Sequence, residues 1–302
     1  MVDRKDTLAR LFALGAALGV GCDRTPPPTA EPAASSASAT PAPAYQGPVR
    51  ISGSSALQPL VNAAKEKFEK ENKSASVEVS AGGSKKGLVD VESGAVQIGD
   101  SDIFAAPDQT DLVDHKVAAV GFAAMANKGA YDAKVTALDF EQLGKVFSGE
   151  IKNWKDLGGD AQPIVVINRA PSSGTRTVFG NVVLGGDKFV EAQTEDNSGA
   201  LVAKLRQTAG AISYLALSFK DDALLTLSIK LGPDTIEPTP ENIAAGKYPV
   251  WAYEHMYTKG QATGTTKQFL DFVLSGDFQD HALPSVKGFI PMTLMKIKKD
   301  KD

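Results

Sequence analysis

From residue 49 onward, short β-branched runs alternate with stretches of helical spacing. Residues 49–51 read as a strand. In GSSALQPLVNAAKEKFEKEN, Leu57, Leu60, Val61, Ala64 and Phe68 recur on one helical face with Lys and Glu opposite. Ser54 or Ser55 stands where an N-cap belongs. SVEVSA (76–81) alternates as a strand, GGSKKG is a loop, LVDVESG a short helix, and AVQIGDSD a further strand and loop. HKVAAVGFAAMAN (115–127) is a long, nearly continuous apolar strand. ALDFEQLGKVFSG reads as a helix through Leu138, Leu143, Val146 and Phe147, followed by the strand PIVVIN and the helix TRTVFGNVVL. SGALVAKLRQ is a helix, GAISYLAL a strand, YPVWAYEHMYT a strand-like run and TGTTKQFLDFVLSG a late helix. This alternation predicts an α/β protein with largely parallel sheets. No long linker divides residues 49–302, so two lobes would have to be joined by ordered strands.

The first 47 residues break the pattern. Arg4, Lys5 and Arg10 precede a short apolar stretch, residues 11–20, and then small residues. That is the layout of a secretory signal peptide, too short for a comfortable membrane span. Cys22, the one cysteine, follows it directly, as at a bacterial lipoprotein cleavage site; residues 1–21 are expected to be the leader and Cys22 the lipidated residue. Gly19 departs from the aliphatic residue usual there. Residues 22–47 are nearly all Pro, Ala, Ser and Thr, a composition that cannot bury enough surface to order itself, and so predict a tether. The folded part is then expected outside the cytoplasmic membrane.

Composition narrows the chemistry. The 302 residues are 42 % hydrophobic and 23 % charged with a formal net charge of -4, so no global positive field draws in nucleic acid. A single cysteine excludes an internal disulfide and argues against a cysteine metal site. His115, His255 and His281 are far apart and form no HExxH. There is no P-loop and no GxGxxG, and SSGTR is not a GxSxG nucleophile elbow.

Four stretches share one design: Gly53-Ser54-Ser55, Gly82-Gly83-Ser84, Asp100-Ser101-Asp102, and residues 169–175. Three sit just before a predicted helix, where free backbone N–H groups and the dipole favour an oxyanion. Any one of them alone is better read as a helix cap. Three in one chain, one with Arg169 beside it, raise the alternative of an anion site.

GSSALQPL, GGSKKGL with GAVQIGDSDIF, DHKVAAVGFAAMANKG, INRAPSSGTRTVF, GAISYLAL and WAYEHMYTKG, in this order and spacing, resemble the substrate-binding proteins of phosphate-specific ABC transporters in their lipid-anchored form. The resemblance runs from about residue 49 to 292. It implies an α/β, two-lobed type II periplasmic-binding-protein fold, with the ligand cleft between lobes joined by two crossover strands. Lobe I is expected at residues 48–119 plus 250–302 and lobe II at 120–249. It further implies a monomeric binding protein without cofactor, not an enzyme, that captures inorganic phosphate and delivers it to permease subunits. Carried over by position, the phosphate contacts fall on Ser55, on Ala56 and Leu57 through backbone N–H, on Ser84, on the Asp102 carboxylate, on the Arg169 cation, and on Ser173, Gly174 and Thr175. Asp100 is the competing acceptor in the same loop.

An acid beside an anion has a physical rationale. Phosphate near neutral pH keeps at least one proton to donate, and an ionised Asp only accepts. Sulfate has no proton to give, so an enclosed Asp102 would reject it. Lys85 and Lys86 depart from the small residues usual after the serine, and they oppose the helix dipole. They either point to solvent or add positive potential at the cleft mouth, the first being favoured because lysine chains seek water. The rival readings are a receptor for another oxyanion (sulfate, molybdate or tungstate), a phosphate sensor or scavenger without a permease, and a secreted phosphohydrolase. Asp102 argues against the first. No metal cluster or activated nucleophile in the sequence supports the last.

Overall fold

The computed structural model describes residues 47–128 and 134–300. The expected leader, Cys22 and all of the tether but Gly47 lie outside the described residues. In chain order the elements are β1 (Val49–Gly53), α1 (Gln58–Glu71), β2 (Val77–Ala81), α2 (Ser84–Glu92), β3 (Ile98–Ser101) and β4 (Leu112–Asn127). Then come β5 (Ala137–Asp139), α3 (Phe140–Phe147), β6 (Val165–Val166), β7 (Asn168–Arg169), α4 (Gly174–Leu184), β8 (Thr194–Glu195), α5 (Ser198–Gln207) and β9 (Ala211–Ala216). The chain closes with β10 (Leu224–Thr226), β11 (Ser228–Leu231), β12 (Asp234–Ile236), α6 (Pro240–Ala244), β13 (Trp251–Lys259), α7 (Gly264–Leu274) and β14 (Phe289–Ile290).

One sheet runs in the order β2-β1-β3-β13-β4-β9-β6, with β10 and β14 also paired to β4. Its axis is β4. Residues 112–121 of β4 pair with β13, and residues 122–126 pair with β9. The strand thus passes from one α/β layer to a second. β4 is fully buried from Val117 to Asn127 and β13 from Trp251 to Thr258, which is why both read as nearly continuous apolar runs. The alternating elements appear as expected, but the sheet is mixed rather than largely parallel. β1 pairs in parallel with β2 and β3, and β6 with β9, whereas β13 runs antiparallel to β3 and β4, and β4 antiparallel to β9. Strands that carry the chain out of a layer and back must run in opposite directions, and periodicity does not reveal direction.

One continuous hydrophobic core runs through both layers. In the first, α1 buries Leu60, Val61, Ala64 and Phe68, the stripe its spacing predicts. The larger of these, Leu60, Val61 and Phe68, each contribute roughly 1.5–3 kcal/mol. Phe68 meets Phe269 of α7 edge to face, with ring centroids 5.2 Å apart. In the second layer Phe147, Phe179, Phe189 and Tyr214 form an aromatic cluster, with Phe179 stacked on Tyr214 at 4.8 Å. This packing holds the Tyr214 ring rigid beneath β7, and so fixes where Arg169 begins. Among the described residues, no helix is long and apolar enough to cross a membrane.

Candidate functional site

The loops singled out by composition converge at the ends of β1, β3 and β7. Gly53 closes β1 with φ +137°, and a Cβ there would lie 2.1 Å from the Asp100 carbonyl oxygen. Only glycine lets β1 run that close to β3, and the Ser54 N–H then donates to the Asp100 carbonyl at 2.9 Å. Ser54 turns the chain. Its Oγ accepts from the Ala56 N–H at 3.0 Å and the Leu57 N–H at 3.4 Å, and its hydroxyl donates to Asp102 Oδ1. Neither Ser54 nor Ser55 is the helix N-cap: α1 starts later, at Gln58, with Leu57 in the cap position and no side-chain cap bond. Ser54 instead organises the turn just ahead of the helix.

α2 begins earlier than expected, at Ser84, which puts Lys85 and Lys86 in its first turn. Both lysines are exposed, and Lys86 pairs with Asp90 one turn on. Ser84 itself is fully buried; its Oγ accepts from the Asp102 N–H at 2.9 Å. Ser173 caps α4 by accepting from the Arg176 N–H at 3.2 Å. Gly174 follows at a crowded point, where a Cβ would lie 2.3 Å from Ser84 Oγ and 2.9 Å from the Asp102 Cβ. The Thr175 hydroxyl donates to Asp102 Oδ2 at 2.7 Å.

Arg169 supplies the cation, 1 % exposed. Its N–H donates to the Tyr214 hydroxyl at 3.2 Å, and Arg176 Nη1 donates to its carbonyl at 2.8 Å. The guanidinium reaches across to Ser55 Oγ at 3.1 Å through Nη2 and to Ser198 Oγ at 3.3 Å through Nη1, while Nε has no protein partner. Burial lowers the Arg169 pKa, opposed by Asp102, Tyr214 and Asp196; an arginine nonetheless stays cationic.

The nine residues carried over from the resemblance are therefore all buried in one place: Ser55, Ala56, Leu57, Ser84, Asp102, Arg169, Ser173, Gly174 and Thr175. Four further residues join it; Ser54 lay in a loop that the sequence singled out, and the other three were not foreseen. Ser54 and Tyr214 are two, and Arg176 is the third. The fourth is Ser198, whose N–H donates to Ser55 Oγ at 3.1 Å and whose hydroxyl lies 3.0 Å from it. Its signal was present: Asn197-Ser198-Gly199 repeats the small polar helix start, and Asn197 caps α5.

Electrostatically the site sets the buried acids Asp100 and Asp102 near the buried Arg169 guanidinium, with Arg176 on the Arg169 carbonyl. Burial and the neighbouring Asp102 raise the Asp100 pKa well above the usual carboxylate range. The Asp102 carboxylate instead meets two hydroxyl donors. Several contacts tie the two layers together: Ser55 to Arg169 and Ser198, Thr175 to Asp102, and the Lys85 N–H to the Ser172 carbonyl at 3.1 Å. Such a cage offers fixed hydroxyls, a guanidinium and one carboxylate acceptor to a small, partly protonated oxyanion. The histidines play no part in it: His255 is buried against Asp114 at 2.7 Å, His115 bonds Thr258 at 3.1 Å, and His281 is exposed. Among the described residues, no group of three His, Cys, Asp or Glu side chains is placed to hold a metal ion.

Comparison with known proteins gives concordant matches. A PBP superfamily domain matches residues 31–277. The phosphate-binding protein PstS of Bacillus subtilis is 49 % identical over 259 residues, covering 84 % of each chain. PstS of Borreliella burgdorferi is 26 % identical over 250 residues, covering 77 % of this chain and 86 % of that one. Among solved structures, a candidate phosphate ABC transporter substrate-binding protein from Clostridium perfringens, crystallised with bound phosphate, superposes with a TM-score of 0.75 at 29 % identity. That match covers 81 % of this chain and 99 % of the other.

Proposed function

Because the chain belongs to the PBP superfamily and, within it, to the PstS phosphate-binding proteins, we propose that the buried cage between its two lobes is its inorganic-phosphate site. The protein is an extracytoplasmic, type II periplasmic-binding-fold receptor that captures phosphate for an ABC transporter. The observation that carries the assignment is the Asp102 carboxylate, fully buried among hydroxyls with Arg169 in the same cage. That combination suits an anion with a proton to donate.

Arg169 supplies charge, through Nε and the edge it turns to Ser55. Ser55, Ser84, Ser173 and Thr175 supply hydroxyl or backbone donors along with Ala56 and Leu57. Gly174 supplies the close approach, and Asp102 accepts the phosphate proton. Lobe I comprises residues 48–119 and 250–302, and lobe II residues 120–249. The change of β4's partner from β13 to β9 after Gly121 supports that boundary. Bonds such as Thr175–Asp102 form only when the lobes are closed, so closure and ligand capture are one event. In this reading the chain is a monomer, tethered by a lipid on Cys22, and catalyses nothing. Calorimetric titration with inorganic phosphate tests the assignment: saturable one-to-one binding supports it, and no binding refutes it. Hydrolysis of a generic phosphate monoester would refute the non-enzymatic reading.

A further inference from the structure

Glu254 is a second buried acid in the molecule's centre, and the phosphate contacts leave it without a role. It is 0 % exposed, in the middle of β13. Neither of its carboxyl oxygens is met by an N–H or O–H donor. β13 pairs with β3 so that Met256 lies opposite Asp100 and His255 opposite Ser101, the last residue of β3, with Glu254 and Asp102 next along each chain. The pairing of β13 with β4 slips between Glu254 and His255, with Ala118 opposite the first and Lys116 opposite the second. The extra residue of this bulge is Val117, on β4 directly beside the Glu254 pair.

The charged surroundings are uniformly acidic. The groups acting on Glu254 are Asp102, which its carboxyl meets at hydrogen-bonding range, and Asp100. From β4 it faces Ala118, and Lys116 is engaged over the Tyr253 ring at 4.6 Å. On α2, which packs on β13, Lys85 is exposed and Lys86 pairs with Asp90. A charged carboxylate without donors, beside a second carboxylate and an anion site, is strongly disfavoured. A carboxylic acid there has a donor to give and an acceptor in front of it. Burial and the two aspartates accordingly push the Glu254 pKa well above its usual range.

We propose that Glu254 is a positioning residue of the anion site: its protonated carboxyl donates to Asp102, holding that carboxylate ionised and oriented toward the ligand. Glu254 touches no ligand. It acts through Asp102, which keeps enough lone pairs to accept from Ser54, Thr175, Glu254 and the ligand together. The proposal rests on the phosphate assignment for its probe, not for the protonation state.

Two measurements on the full chain test it. Difference infrared spectra of the ligand-free protein at pH 8, wild type against Glu254→Gln, should show a protonated-carboxyl C=O band that the variant lacks; absence of that band overturns the proposal. Calorimetry with phosphate and sulfate should find Glu254→Gln, an uncharged donor of the same shape, within about threefold of wild type for both anions. Glu254→Ala should weaken phosphate binding about tenfold and narrow the preference over sulfate. If Glu254 were ionised, Glu254→Gln would remove a negative charge and tighten sulfate binding about tenfold or more, which also overturns the proposal. The infrared band needs no ligand. A wild type that shows the band yet fails to bind phosphate sinks the phosphate assignment alone, and one that binds phosphate without the band sinks this inference alone.

Discussion

Asp102→Asn separates the two things a buried carboxylate does next to an anion. Asp102 is fully buried and accepts from Ser54 and from Thr175, so it is held still. Against sulfate it presents a like charge that no proton bridges. At about 4 Å and an effective dielectric near 20, two unit charges repel by about 4 kcal/mol. Asparagine removes that charge at nearly constant shape, so sulfate affinity should rise by roughly two to three orders of magnitude. Phosphate loses the same repulsion but also loses a hydrogen bond to an ionised acceptor, worth about 1.5–3 kcal/mol. The two effects oppose each other and leave a net gain of about 1–2.5 kcal/mol, so phosphate affinity should rise by roughly one order of magnitude, well short of the gain for sulfate. Calorimetric titration of wild type and variant with both anions, at one ionic strength, reads each change. If Asp102→Asn left the phosphate-to-sulfate ratio where it was, the carboxylate would not be the discriminating group.

Other predictions follow from the same geometry. Arg169→Ala removes the buried cation of the cage and should weaken phosphate binding by about a hundredfold or more, measured by equilibrium dialysis. Ser198→Ala removes a hydroxyl that holds Arg169 and should cost about fivefold in phosphate affinity with little effect on stability. Gly174→Ala drives a methyl into Ser84 and Asp102, so the phosphate-induced compaction seen by small-angle X-ray scattering should be lost. Asp100 has a raised pKa in the folded state because it is buried beside Asp102. The folded protein therefore holds a proton that the unfolded chain releases above its ordinary carboxylate range, and stability falls as pH rises from there. Asp100→Asn should consequently raise the melting temperature more at pH 8 than at pH 4, and an equal gain at both would refute the assignment.

Much of this was legible in the sequence, for reasons that also explain the omissions. The α1 stripe, the nearly continuous apolar run of β4 and the strand-like run of β13 are local patterns, and they predicted those elements directly. The direction of the strands is not local, and the mixed sheet was read as largely parallel. The loops of small hydroxyl residues raised the alternative of an anion site because helix starts carry their own N–H donors, and the family resemblance, not the loops alone, named the contacts. What stayed hidden depends on partners far along the chain. Ser198 meets Ser55 across 143 residues, and Tyr214 fixes Arg169 through an aromatic cluster assembled from three other segments. Glu254 lies inside a strand-like run whose periodicity gives no hint that the acid is buried near Asp102.

The central claim, that this cage chooses a protonated oxyanion, is tested most directly on the unmodified protein. Phosphate and sulfate should be titrated into it side by side at neutral pH. Tight one-to-one phosphate binding, with sulfate weaker by about a hundredfold or more, is the result expected of a fully enclosed acceptor at Asp102. Equal affinity for the two anions would contradict it.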